Sequence, residues 1–271
     1  MRPLLTERLL DRTPVWLLYA GTALLLFAAS EIGFRIAVWH ATRKPPGDRA
    51  PTNAIMGSTL GLLAFMLAFT FGASSARFDA KRQLVLDEAS AILRAHQRVQ
   101  LLPEPQRSEA SRLLREYVAL RIRVPTLPGR AEVEEAVKRA EAIQDALWAQ
   151  AAALTDRPTM ILGGVLQSLT ELSDLQIKRV RAAVWNRIPP TIVLMLYTIA
   201  VLGLTAMGYG AGLVKSRTLA PTIAVVLAFS AIMLVIQDME RPRPQLFTIS
   251  QEPLVDVARR ISSAPSSAEF R

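Results

Sequence analysis

The feature that most constrains this sequence is a set of long apolar runs separated by charged segments. Three runs, Val15–Trp39, Ala54–Ala76 and Thr191–Val214, approach or exceed the roughly 20 apolar residues that a helix needs to cross a bilayer, and Leu219–Ile236 lies near the lower limit. A backbone in lipid must satisfy its own hydrogen bonds, which favours helices for runs of this length. The sequence therefore predicts four transmembrane helices.

Between the second and third runs lies a mixed-charge stretch with the pattern of a helical bundle. A helix continues from the second run without a break, because no proline interrupts it and its last glycine is Gly72. The residues expected on its buried face are Leu84, Leu86, Ala89, Ile92 and Leu93. The segments "LLPEPQ", "VPTLPG" and "TDRPT" separate further helices, and no strand-like alternation persists. The predicted fold class is all-α.

The predicted organisation has four parts. Residues 1–76 hold the first transmembrane helix pair, residues 77–188 a cytoplasmic helical domain, and residues 189–237 the second transmembrane pair. Residues 238–271 form a cytoplasmic C-terminal segment with a short amphipathic helix, which Ser250 is expected to cap.

Composition argues against several classes of function. The chain has no cysteine and only two histidines, His40 and His96, so thiol chemistry and thiolate metal sites are excluded. No glycine-rich phosphate loop or catalytic constellation is visible, and we predict neither an enzyme nor a cofactor. The net charge of +9 comes largely from basic residues near the ends of the apolar runs. We therefore expect contact with anionic lipid in the bilayer and no nucleic acid.

The distribution of basic residues predicts the orientation. Four spans place both termini and the insert on one side, where twelve flanking basic residues lie: Arg2, Arg8, Arg12, Arg77, Lys81, Arg82, Lys178, Arg179, Arg181, Arg187, Arg241 and Arg243. The other side has five: Arg43, Lys44, Arg49, Lys215 and Arg217. The side richer in arginine and lysine is normally cytoplasmic, so we expect cytoplasmic N- and C-termini in a multi-pass protein of the bacterial inner membrane.

The second apolar run carries small residues at intervals of four, Ala64, Ala68 and Gly72, with Gly57 and Gly61 before them. Such spacing produces a smooth stripe that another helix can approach closely. The stripe can pack within one subunit. Alternatively, it forms a subunit interface or lines a pore, with Thr59, Thr70 and Ser74 as its polar points.

Two groups of charged residues are candidate sites. Asp238, Glu240 and Arg241 follow the last span, and Pro242 and Pro244 are expected to hold them on an extended segment where they can pair with Arg77, Lys81 or Arg82. In one interpretation Arg241 lies at the membrane interface and the two carboxylates attach the helical bundle to the membrane part. In the other, the cluster binds an ion or acts in gating. Glu31 and Arg35 are four residues apart, so they share one helix face and are a candidate intramembrane pair.

Several segments resemble the bestrophin-like domain family of bacterial membrane proteins. They are "GLLAFMLAFTFGASSARFDAKRQLVLDEASAI", "LLPEP" and "ERPRPQLFTISQEPL", together with the Glu31–Gly33–Arg35 end of the first span. The family pattern has Asp-x-Asp-Arg-Pro after the last span, and here Glu240 takes the second acidic place. Where a glycine often follows, this chain has Gln245. The resemblance implies four spans per subunit, a helical cytosolic part and a likeness to oligomeric anion channels.

The leading functional hypothesis is an oligomeric channel or channel-like protein that passes an inorganic ion and assembles as a homo-oligomer. The spans lack a dense ring of charges, so the sequence does not select the ion. The alternative hypothesis is a non-conducting membrane scaffold or sensor whose helical domain binds a protein partner.

Overall fold

The computed structural model describes residues 13–43, 50–154, 160–184, 189–214, 219–241 and 246–263. These residues form eight α-helices and one short 3-10 helix, Val124–Thr126, and no strand. The helices are α1 Val15–Arg43, α2 Ala50–Val99, α3 Gln106–Arg123, α4 Arg130–Ala152, α5 Met160–Val184, α6 Pro190–Leu213, α7 Leu219–Glu240 and α8 Glu252–Ser263.

Four of these helices, α1, α2, α6 and α7, are long and apolar enough to cross a membrane. The apolar part of α2 is its N-terminal portion, because charged residues recur in it from Arg77 onward. The prediction of an all-α fold with four candidate spans is confirmed.

Helix α2 runs for 50 residues without interruption, a length of about 75 Å at 1.5 Å per residue. Its sequence permits this, because Pro51 occupies the first turn, where the missing N–H is harmless. The N-terminal part of α2 is therefore a candidate span, and its C-terminal part is the first helix of the mixed-charge stretch.

The described residues divide into two compact units. The first, which we call the membrane unit, comprises residues 1–78 and 187–248. Within it, α1 and α6 pack closely through glycines: a Cβ on Gly33 would overlap the carbonyl of Thr205, and one on Gly208 would overlap that of Ser30. Glycine at these positions allows the backbones to approach, as in other membrane helix pairs.

The second unit, which we call the helical domain, comprises residues 79–186 and 249–271. Its core contains apolar residues from the end of α2 and from α3, α4 and α5, with Tyr117 the largest fully buried side chain. Helix α8 adds Leu254, Val257 and Ile261 to this core. The hydroxyl of Ser250 accepts a hydrogen bond from the Glu252 N–H at the start of α8.

One residue of α2 that was expected in the core lies on the surface. Leu86 is 40% exposed, so its assignment to the buried face is wrong. The buried positions run through Val85, Glu88, Ile92 and Val99, which follow the spacing of three, four and seven residues that one helix face requires. A charged residue therefore occupies a core position of the helical domain.

Candidate functional site

The membrane-spanning part of α2 has two opposite faces. Ala64, Ala68 and Gly72 are exposed, whereas Leu63 and Leu67 are buried in the core of the membrane unit. At 3.6 residues per turn, the buried and exposed sets lie on opposite sides of the helix. Within the described part of the membrane unit, the small residues thus lie on the side of α2 that other helices do not cover.

The structure separates the small residues from the polar residues that were grouped with them. Thr70 is buried, and its hydroxyl donates to the Met66 carbonyl at 2.7 Å. Ser74 is also buried, and the Thr59 methyl group lies 3.5 Å from the position that a Cβ on Gly203 would occupy. Thr59, Thr70 and Ser74 therefore face the interior of the subunit.

The glycines of α2 have open space around them. Among the described residues, and apart from the adjacent residues and the backbone of α2 itself, a Cβ on Gly57, Gly61 or Gly72 would meet no atom within 4 Å. Two large side chains border this surface, Phe65 at 63% and Phe69 at 69% exposed. We call the surface formed by Gly57, Gly61, Ala64, Ala68 and Gly72 the small-residue face of α2.

The acidic residues after the last predicted span belong to α7 itself. The expectation of an extended segment is wrong for Asp238 and Glu240, because α7 continues through Glu240. Arg241 directly follows the helix, and residues 242–245 lie outside the described residues. An α-helix can extend to the residue that precedes a proline-containing segment, since only the positions next to proline are restricted.

Asp238, Glu240 and Arg241 lie close together at this end of α7 but have different partners. The Asp238 carboxylate is buried and accepts hydrogen bonds from the N–H groups of Leu246, at 2.8 Å, and Phe247, at 3.4 Å. Glu240 Oε1 lies 3.3 Å from Arg77 Nη1. Arg241 is buried beside them. Both carboxylates are thus engaged by groups of the same unit.

Glu31 and Arg35 lie on the same face of α1, with Arg35 Nε 3.0 Å from Glu31 Oε1. The Arg35 side chain is 77% exposed, and that of Glu31 25%. Near the end of the same helix, His40 Nδ1 lies 3.5 Å from the Tyr209 hydroxyl of α6.

A polar contact within the spans was not anticipated from the sequence. The Tyr197 hydroxyl of α6 lies 2.8 Å from Thr22 Oγ1 of α1 and accepts a hydrogen bond from Gln237 Nε2 of α7 at 2.7 Å. One hydroxyl therefore joins three of the four candidate spans. Thr22 and Tyr197 lie within apolar runs and Gln237 lies at the end of one, and a polar residue in such a place was the available signal.

The helical domain contains a second unanticipated group, which we call the Glu88 cluster: Glu88, Tyr117, Arg121 and Arg179. Glu88 is fully buried and forms ion pairs with Arg121, at 2.8 Å, and with Arg179. The Tyr117 hydroxyl donates to Glu88 Oε1 at 2.8 Å. The signal in the sequence was a lone carboxylate at a position of the apolar repeat of α2.

The environment of the cluster keeps Glu88 ionised. Burial opposes the charged form, but the charges of Arg121 and Arg179 and the hydrogen bonds from Arg179 and Tyr117 outweigh it, so the pKa of Glu88 lies below its ordinary value. Burial, followed by the negative charge of Glu88, raises the pKa of Tyr117. The phenol therefore stays protonated and donates to the carboxylate.

Among the residues that the structure describes, no three histidine, aspartate or glutamate side chains are grouped so that they could hold a metal ion.

Comparisons with known proteins agree with this architecture. A family model for the Bestrophin-like domain matches residues 25–254. No curated protein matches the chain. Two crystal structures of a bacterial Bestrophin homolog from Klebsiella pneumoniae, each with one substitution, have similar folds. One has a TM-score of 0.64 at 18% identity and covers 92% of this chain and 96% of its own. The other has a TM-score of 0.63 at 16% identity and covers 90% and 99%.

Proposed function

The chain belongs to the bestrophin-like domain family, and from that premise we propose that it is a subunit of an oligomeric ion channel in the bacterial inner membrane. The solved structures it resembles are those of bacterial Bestrophin homologs, and the match covers nearly the whole of each chain. At this level of identity they support the fold, and the function rests on family membership together with the surface of α2.

The observation that carries the proposal is the small-residue face of α2. Gly33 and Gly208 lie in tight helix contacts, whereas Gly57, Gly61 and Gly72 face open space, as does Gly21 in α1. What distinguishes α2 is that its open glycines share one face with Ala64 and Ala68, and small residues in a span are enriched where another helix approaches closely. The described residues leave this face uncovered, which favours an interface with another copy over packing within one subunit. Neighbouring copies around a central passage would use it.

The acidic residues at the end of α7 act as a structural fastening in this proposal. The N–H groups of Leu246 and Phe247 donate hydrogen bonds to the Asp238 carboxylate, and Arg77 forms an ion pair with Glu240. The segment that follows α7 is thereby held against the end of its own helix.

In this proposal both termini and the helical domain are cytoplasmic. The support is the excess of arginine and lysine that flanks the spans on that side. The pair Glu31–Arg35 then belongs to the outer half of α1, where a long arginine side chain can reach the interface.

The test combines assembly with ion flux. The wild-type protein is purified in detergent, its oligomeric state is measured by light scattering, and chloride and potassium flux is measured after reconstitution into liposomes. We expect an oligomer with measurable flux. Gly72→Leu should reduce both, because a large side chain prevents close approach on the small-residue face.

The matched control is Gly21→Leu, since Gly21 also lies in a span, in α1, with no atom near its Cβ position. We expect this variant to assemble and conduct like the wild type. Equal behaviour of the two variants would show that the small-residue face has no special role. An intact oligomer without flux of either ion would favour the non-conducting scaffold instead.

A further inference from the structure

The Glu88 cluster lies inside the helical domain, and the proposed channel function does not require it. Its side chains come from three helices: Glu88 from α2, Tyr117 and Arg121 from α3, and Arg179 from α5. The exposed fractions are 0% for Glu88, 4% for Arg121 and 14% for Arg179. The charged side chains from all three helices are therefore largely shielded from water.

Further polar contacts extend the cluster to the fourth helix. Gln144 of α4 and Gln176 of α5 both lie within 3.5 Å of the Tyr117 hydroxyl. Ser173 of α5 donates to Gln144 Oε1 at 3.0 Å. A connected set of hydrogen-bonding groups thus joins α2, α3, α4 and α5 through the single phenol of Tyr117.

The charges of the cluster do not balance. Two guanidinium groups face one carboxylate, and burial lowers the pKa of Arg179 even though Glu88 opposes this. A buried ion pair often adds little net stability, because the cost of removing the charges from water offsets their attraction. Removing one partner is nevertheless costly, since the remaining charges stay buried without compensation.

Alanine is frequent on the buried face of α2 near Glu88, at Ala89, Ala91 and Ala95. Larger side chains, such as Ile92 of α2 and Leu172 of α5, belong to the same core. The alanine methyl groups themselves have little shape, so their contacts change little when one helix slides along another. A carboxylate that needs two specific guanidinium groups permits only one register.

We propose that the Glu88 cluster specifies the register of α2 against α3 and α5 and thereby selects one packing of the helical domain. Its role is to distinguish between alternative arrangements of the same helices rather than to increase their stability. The proposal does not depend on whether the protein conducts ions.

The first experiment breaks the cluster at its centre. Glu88→Gln leaves two buried guanidinium groups without a carboxylate, and we expect the Tm of the purified full-length protein to fall by about 10 °C. The matched control is Glu171→Gln, which removes the carboxylate of an exposed ion pair between the same two helices, Arg94 of α2 and Glu171 of α5. We expect the Tm of the control to stay within about 2 °C. Equal Tm values for the two variants would overturn the proposal.

The second experiment separates register from stability. The triple variant Glu88→Leu, Arg121→Met and Arg179→Met replaces all three charges with apolar groups, and we expect it to keep its helix content and its Tm. Register is then read by cross-linking two cysteines with a short bifunctional thiol reagent, because Arg94 and Glu171 meet only at the ends of long side chains and cysteines in their places would lie too far apart for a disulfide. The natural chain has no cysteine that could compete. One cysteine replaces Arg94, and the other replaces Glu171 or its exposed neighbours one turn away, Gln167 or Asp174.

With the native cluster we expect one dominant cross-link, between positions 94 and 171. In the triple variant the yield should spread to positions 167 and 174. A triple variant that keeps the single native cross-link would overturn the proposal, because register would then be set by other contacts. A triple variant that unfolds would also overturn it, because the cluster would then supply stability.

Discussion

The Asp238 carboxylate accepts a hydrogen bond from the backbone N–H of Leu246, eight residues further along the chain, at 2.8 Å. Asp238 is almost completely buried in the last turn of α7. The carboxylate thus connects the end of a membrane span to the segment that leaves it. Phe247 strengthens the same connection through a second N–H and through an edge contact of its ring with Phe78.

The first prediction concerns this connection. Asp238→Ala should lower the free energy of unfolding by about 1.5–3 kcal/mol, because it removes hydrogen bonds to a charged acceptor. Asp238→Asn keeps one carbonyl oxygen and should lie between this variant and the wild type. Denaturant unfolding in mixed micelles measures both. Asp256→Ala, at an exposed position of α8, is the control and should have almost no effect. A loss in Asp238→Ala no larger than in the control would contradict the prediction.

The second prediction concerns Arg77 and Glu240, which are 27% and 13% exposed. A double-mutant cycle with Arg77→Gln and Glu240→Gln should give a coupling energy of about 1.5 kcal/mol, since the pair is partly shielded from water. The same cycle at the exposed pair Arg139 and Glu116 should give much less. Additive effects at Arg77 and Glu240 would show that their proximity contributes nothing.

The third prediction distinguishes two kinds of glycine in the spans. Gly208→Ala should destabilise the protein by about 3 kcal/mol or more, because the new methyl group would overlap the Ser30 backbone. Gly21→Ala should be neutral or stabilise by up to about 1 kcal/mol, because its surroundings are open and alanine favours the helix. Thermal unfolding of the purified variants measures both effects. The opposite order would mean that α1 and α6 are less closely packed than described.

The fourth prediction concerns pH. The pKa of Glu88 in the folded protein lies below its ordinary value of 4.5. Its contribution to stability is therefore fully present above that ordinary value and is lost as pH falls through the lower folded value. The difference in Tm between the wild type and Glu88→Gln should be constant from pH 7 to about pH 5 and should shrink below about pH 4. A difference that does not change down to pH 3 would contradict the assigned direction.

The fifth prediction tests orientation. Single cysteines at Asp145 of α4 and at Val214, just after α6, both occupy exposed positions. In intact spheroplasts an impermeant thiol reagent should label the cysteine at Val214 and leave the one at Asp145 unlabelled until the membrane is permeabilised. Labelling of the Asp145 position in sealed spheroplasts would reverse the proposed topology.

Much of the fold was predictable because membrane helices have strong sequence signals. The four apolar runs correspond to α1, the first part of α2, α6 and α7, and prolines mark the start of α3 as well as the first turn of α8. Helix ends were less predictable. Pro242 suggested that the acidic residues stand outside a helix, whereas α7 retains helical geometry through Glu240.

The candidate sites were harder to predict, because spacing along the chain does not show which face of a helix the protein covers. Ala64, Ala68, Thr70 and Gly72 are neighbours in sequence, yet only Thr70 is buried. The position of Glu88 in the apolar repeat of α2 could have marked it as buried, but its partners, Arg121 and Arg179, are 33 and 91 residues away. The identity of such distant partners has no local signature.

The unbroken course of α2 also constrains how this chain can change in evolution. Glu88 and Val99 both lie on the buried face of this helix, so the number of residues between them sets the angle between their side-chain directions. One residue inserted between them would rotate Glu88 about the helix axis by about 100° relative to Val99, whereas seven would nearly restore the angle. A loop would absorb either change. Inside this helix, chain length is therefore inherited as strictly as residue identity, and insertions should accumulate in the connections between helices.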